Sequence, residues 1–136
     1  MGTWSVDAFG NDEAADWAYE LEDALDLRPI HEAIAAVVNA GDEYLEAPEA
    51  SIALAAIEVL ARLGGKPGEH NAYTEVADKW IAETQIKPSI ELIDAAQAAI
   101  TRILADKSEL HELWRDSDEY DDWVSSVNNL LARIDE

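Results

Sequence analysis

The segment from Ser51 to Leu63, SIALAAIEVLARL, constrains this chain more than any other stretch. It lies between Pro48 and Gly64-Gly65 and is apolar nearly all round. Its only polar stripe is Ser51, Glu58 and Arg62, with Ala55 between. A helix with one wet face would carry an apolar stripe over less than half its circumference, whereas this one demands cover on every side. The segment therefore predicts a central, buried helix, opened by Pro48 and closed by the glycine pair.

Covering such a helix takes other helices, and the flanking sequence supplies them. Helical periodicity runs through the chain, with no convincing strict alternation. A first helix starts near Asn11 or Asp12, either of which can cap free backbone N–H groups, with acids suited to the positive end of the helix dipole. Its apolar stripe is Ala14, Trp17, Ala18, Leu21, Ala24 and Leu25, with Glu13, Asp16, Glu20 and Asp23 facing water. Pro29 opens a second helix whose inner face is Ile30, Ile34, Val37 and Val38, stopped by Gly41. Beyond the central helix, Lys66 to Asn71 reads as a loop and a candidate hinge, and Ala72 to Ala82 as a shorter helix. Pro88-Ser89 starts a long helix with Ile93, Ile100, Ile103 and Leu104 inward. Leu110, Leu113 and Trp114 face the core before a break near Asp116 to Asp118. A last helix repeats Trp123, Val127, Leu130 and Ile134, with Val124 and Leu131 beside them. Trp4, Trp17, Trp80, Trp114 and Trp123 read as core or lid residues. The fold class is all-α: one helical domain over residues 1–136, with six or seven helices and a short extended N-terminal segment.

Charge bounds the partners. The chain carries 30 acidic and 9 basic side chains, a net charge of −21. Residues 1–26 hold eight acids and no Lys or Arg, and residues 108–136 hold nine acids against two bases. Nucleic acid and anionic membrane need a basic footprint and are disfavoured as direct partners. A hydrophobic content of 49% still provides for a folded core. No cysteine is present, which excludes disulfides, zinc thiolate sites and a cysteine nucleophile. The first residues lack the basic and apolar regions of a secretory signal, and no apolar run approaches the ~20 residues of a membrane span, so a soluble, cytoplasmic protein is expected.

Motifs for chemistry are lacking, and no catalytic, cofactor-binding or metal-binding residue is assigned. His31-Glu32 and His111-Glu112 begin like a zincin helix, but Ala35 and Arg115 stand where the second histidine belongs. His70 has no ligand pattern around it. Gly64-Gly65-Lys66 lacks the spacing of a phosphate-binding loop. The run Asp116, Asp118, Asp121 and Asp122 lacks the glycine and closing glutamate of a calcium loop. Glu58 stands apart, since a carboxylate in the most apolar helix could serve as a general acid or base. The competing reading is an ion pair with Arg62 one turn on, and it is preferred.

Three stretches carry a family likeness. Gly2-Thr3-Trp4, Phe9-Gly10-Asn11-Asp12 and Ala15-Asp16-Trp17 form the first; Tyr44-Leu45-Glu46-Ala47 the second; Asp106-Lys107-Ser108-Glu109-Leu110 with Leu113-Trp114 the third. In this order the chain resembles the bacterial family catalogued as domain of unknown function 4259, with Ser5 where the family often has Gly. The resemblance implies a small, soluble helical protein and carries no activity to transfer. Physically the motifs read as structure. Trp4 and Phe9 fold back over the bundle, Asn11 or Asp12 caps a helix and Trp17 enters the core. Ser108 caps a helix starting at Glu109, whose Leu110 and Trp114 point inward. The two ends of the chain are expected to meet.

The function expected on these grounds is protein binding, immunity-like or inhibitor-like, toward a basic partner steered by the acidic ends. Asp16, Glu20, Asp23, Asp118, Glu119 and Asp122 are the candidate contact residues. The alternative is a small enzyme using Glu58 in a helical cleft. Acidity serving solubility or salt adaptation, and a purely structural homodimer rather than a monomer, remain open from sequence.

Overall fold

The computed structural model describes residues 11–68 and 74–134. The expectations for Trp4, Phe9 and His70, the meeting of the chain ends, and the far half of the candidate hinge lie outside the described residues. Seven helices follow one another within them: α1 (Asp12–Glu22), α2 (Arg28–Val38), α3 (Ala47–Leu63), α4 (Glu75–Thr84), α5 (Ile90–Ile103), α6 (Glu109–Arg115) and α7 (Tyr120–Ile134). The described residues contain no strand; an isolated parallel bridge joins Leu45 and Ser108. No described helix is long and apolar enough to cross a membrane.

The central helix is α3, and it packs against all six others. Its alanines Ala50, Ala53, Ala55 and Ala56 are fully buried on different sides, so neighbours approach closely all round. Ile57, Val59 and Leu60 fill the remaining space; burying each such side chain contributes about 1.5–3 kcal/mol. The surprise is its polar stripe. Ser51, Glu58 and Arg62 are buried as well, so α3 has no wet face along most of its length. It ends as its glycines require: Gly65 adopts a left-handed φ of +83°, its N–H donates to the Arg62 carbonyl, and the Lys66 N–H reaches back to Ala61.

Helix starts follow the sequence signals where a local cap exists. Asn11 Oδ1 accepts the Ala14 N–H at 2.8 Å, which settles the first cap in favour of Asn11 over Asp12. Ser89 Oγ accepts the Leu92 N–H at 3.1 Å. Pro29 sits in the first turn of α2. Trp17, Trp80 and Trp123 are buried, while Trp114 is only half-buried.

Four inward assignments fail. Leu25 is 93% exposed, because α1 stops at Glu22 and the chain turns there. The Trp80 indole N–H takes the Ala24 carbonyl at 3.0 Å and holds that turn. Val38 closes α2 on its outer side and is exposed, as is Leu113 on the short α6. On α5, Leu92 is buried while Ile93 is only half-buried. Helix α4 spans Glu75 to Thr84, two residues past the expected end at Ala82, and Gln85 then takes a left-handed φ of 51°; the expected start at Ala72 lies outside the described residues.

Candidate functional site

Glu58 is the centre of a buried charge network. Its carboxylate lies in the middle of α3 and the residue is 6% exposed. Arg62, one turn on, donates from Nε to Oε2 at 3.0 Å, so the i,i+4 pair exists, but in the interior and not on a solvated stripe. Arg133 of α7 embraces the same carboxylate with two hydrogen bonds, Nη1 to Oε2 at 2.7 Å and Nη2 to Oε1 at 2.6 Å. The Gly68 N–H adds a longer bond to Oε2 at 3.3 Å. From the other side, Arg62 Nη1 donates to Asp78 of α4 at 2.6 Å, and the Thr74 hydroxyl donates to Asp78 at 2.8 Å. Two carboxylates and two guanidinium groups thus join α3, α4 and α7.

Gly68 lies flush against this network. A Cβ there would stand 3.4 Å from both terminal nitrogens of Arg133 and from Glu58 Oε2, in van der Waals contact with the forked pair. An ionised carboxylate offers about four acceptor directions, and four N–H donors already converge on Glu58. Three of these fall on Oε2 and one on Oε1, so the buried carboxylate is engaged mainly by its own network. The arrangement holds three helices in register; it does not present a proton acceptor to solvent. The sequence pointed to Glu58 and Arg62 but missed Asp78 and Arg133. A signal for Arg133 existed: it follows Leu130 by three residues and so borders the buried stripe of α7.

The second and third family motifs meet each other. The Leu45 N–H donates to the Lys107 carbonyl at 2.8 Å, and the Glu109 N–H to the Leu45 carbonyl at 2.9 Å. Ser108 occupies the position before α6, yet its side chain makes no capping bond. Its hydroxyl is fully buried without a hydrogen-bond partner, which corrects its expected part as a cap. The capping group is Glu109, and the helix it serves is α3: Oε1 accepts the Ala47 N–H at 2.8 Å. Arg102 closes the same joint by donating to the carbonyls of Gly41, Glu43, Asp106 and Lys107. Tyr44 donates its hydroxyl to Glu112 at 2.8 Å. That bond, then desolvation and the charges of Glu112 and Glu109, raises the Tyr44 pKa from 10.0 to about 12.

The candidate contact acids fall into two separate groups. Asp16, Glu20 and Asp23 are exposed along α1, and Asp118, Glu119 and Asp122 are exposed at the start of α7. Helix α1 rests on α3 and α4, whereas α7 rests on α3, α5 and α6, so the two acidic groups are not brought together. The α7 acids have a local reason, the positive end of their own helix. Those of α1 do not. Glu20, Glu22 and Asp23 crowd its negative end, with no basic residue in the last turn.

Neither of the described histidines, His31 and His111, lies in a cluster of metal-ligating side chains. His31 is exposed. His111 Nδ1 faces the Ala105 carbonyl at 3.3 Å, and its Nε2 lies 2.7 Å from the Tyr120 hydroxyl. A carbonyl only accepts, which assigns the proton to Nδ1 and makes Nε2 the acceptor from Tyr120. The ring stacks on Tyr120 and Trp123, and Trp114 stacks on Trp123 at 6.0 Å. Among the described residues no three His, Asp or Glu side chains converge as a metal site.

Comparison with known families matches residues 2–126 to the family described as Domain of unknown function (DUF4259). The chain belongs to this family. No curated protein and no solved structure matches it.

Proposed function

We propose that this DUF4259 member is a protein-binding module, immunity-like or inhibitor-like in its mode of action, whose α1 face docks a basic protein. The observation that carries the reading is the setting of two exposed apolar residues. Tyr19 is 63% exposed on α1 and Leu25 is 93% exposed just beyond it. Around them Asp12, Asp16, Glu20, Glu22, Asp23 and Asp26 are exposed, and none is ion-paired with a described residue. Aromatic anchors within a charged rim are the usual composition of a recognition surface. The acids supply steering toward a cationic partner and the apolar pair supplies burial.

Energetics favour the same reading. Acids at a helix C-terminus oppose the dipole by about 0.3–1 kcal/mol each, so Glu20, Glu22 and Asp23 weaken the helix that bears them. Solubility could be served by acids placed anywhere else. Replacing Glu20→Lys and Asp23→Lys should raise the melting temperature slightly while removing partner capture. The experiment is affinity capture from the native lysate at low and high salt, with wild type, E20K/D23K and Y19A/L25A side by side. A protein retained by wild type alone, and lost at high salt, supports the proposal. Identical capture by all three, or no specific capture, ends it.

A further inference from the structure

Beside the buried network, where α3 ends, α5 begins and α7 nears its last turn, the surface holds a recess of about 180 Å³. Half of its surface is apolar, from Leu60 and Leu63 of α3, Pro88 and Ile93 at the start of α5, and Ile134 of α7. Its remaining lining includes three of the chain's 9 basic residues, Lys66, Lys87 and Arg133. Both lysines are exposed. Neither makes an ion pair with a described residue, in a chain with 30 acids to choose from. Arg133 brings a donor with its charge already cancelled. Of its five N–H groups, Nε goes to Asn129, Nη1 serves Glu58 and the Lys66 carbonyl, and Nη2 gives one bond to Glu58. One N–H of Nη2 is left over.

We infer that this recess binds a small organic acid, a single carboxylate joined to a ring or branched aliphatic group of about the size of benzene. Three features select that class. A cavity of about 150 Å³ accepts benzene, so the volume suits one ring, laid against the apolar half of the lining with its polar group toward the other half. The two lysines reach the mouth on flexible stems and supply point charges for the carboxylate. The spare Arg133 N–H, fixed in direction by the Glu58 fork, supplies the oriented hydrogen bond. A larger polyanion would leave the apolar part of the lining unused, and a cation would face the two uncompensated lysines. The inference goes beyond the docking function: the recess is built by α3, α5 and α7, and the docking face by α1.

The test uses the full chain, labelled at isoleucine and leucine methyl groups and titrated with benzoate, neutral benzamide and cationic benzylamine. Benzoate should shift the methyls of Leu63, Ile93 and Ile134 saturably in the millimolar range, as a ligand of this size allows. Benzamide should bind at least fivefold more weakly, and benzylamine should leave those methyls unmoved. In K66Q/K87Q, benzoate affinity should fall to that of benzamide, with an unchanged thermal melt because both side chains are exposed. Equal affinity for benzoate and benzamide, shifts centred on other methyls, or no saturable shift would overturn the inference.

Discussion

The two ends of α3 are held by opposite chemistry. At its start, the loop before it and the segment before α6 exchange backbone hydrogen bonds, Glu109 caps Ala47, and Arg102 gathers four carbonyls. Toward its other end, Glu58, Arg62, Asp78 and Arg133 tie α4 and α7 to it chiefly through side-chain charge. The first joint reads the shape of the chain and spreads its strength over many small contributions. The second reads the identity of four side chains, and each of them depends on the others. A buried pair gains little over an apolar replacement, yet losing one member strands the rest.

The sharpest way to break this comparison is Glu58→Ala, which leaves two guanidinium groups buried around a missing carboxylate. The expected loss is about 3–5 kcal/mol, a fall of about 10 °C or more in the melting temperature for a domain of this size. A loss below about 1 kcal/mol would show the buried network to be as tolerant as a surface pair. The double change Glu58→Leu with Arg133→Met should recover much of that loss, because Arg62 keeps Asp78. A double-mutant cycle in urea should give a coupling of about 1–3 kcal/mol. Additive losses would mean that no shared network exists.

At the other end of α3 the effects are smaller. Arg102→Ala should lose about 2 kcal/mol, given charge-assisted bonds to carbonyls at a partly exposed site. Arg102→Lys should not restore it, since an ammonium cannot span carbonyls the planar fork reaches together. Ser108→Ala should leave stability unchanged or raise it by up to about 1 kcal/mol, because the hydroxyl it removes is buried without a partner. Destabilisation would reveal a bond to that oxygen. The smallest effect belongs to Tyr44. Its pKa is raised, so the protonated phenol favours the fold: its contribution is complete below pH 10 and fades as pH climbs through about 12. A spectroscopic titration should show one late tyrosine ionisation that Tyr44→Phe abolishes.

The same contrast explains what the sequence disclosed. Local signals were legible: the Asn11 cap, Pro29 and Pro48 in first turns, the Gly64-Gly65 stop, and the apolar stripes of α1, α3 and α7. Each depends on residues within one or two turns. Glu58 looked like half of a thin polar stripe because its decisive partner, Arg133, lies 75 residues away. Ser108 resembled a cap because its spacing from Leu110 and Trp114 suits one, while the competing bridge to Leu45 is set by a segment from elsewhere in the chain. Leu25 continued the α1 stripe by pattern, but the turn there is held by Trp80, 56 residues beyond the Ala24 whose carbonyl it binds. Candidate contacts fared likewise. Their exposure could be read from pattern, but their division between two unconnected surfaces could not.

One consequence of α3 concerns the order of synthesis. Its apolar circumference is shared among two helices that precede it and four that follow. When Leu63 leaves the ribosome, α1 and α2 can shelter only part of that surface, and the rest awaits the second half of the chain. The bundle therefore cannot be completed in instalments. Arg133 and Ile134, made long after Leu63, complete the charge network and are buried or half-buried beside the end of α3. A chain truncated before α7 should expose a sticky helix and a stranded carboxylate together, and be handled by the cell as aggregation-prone.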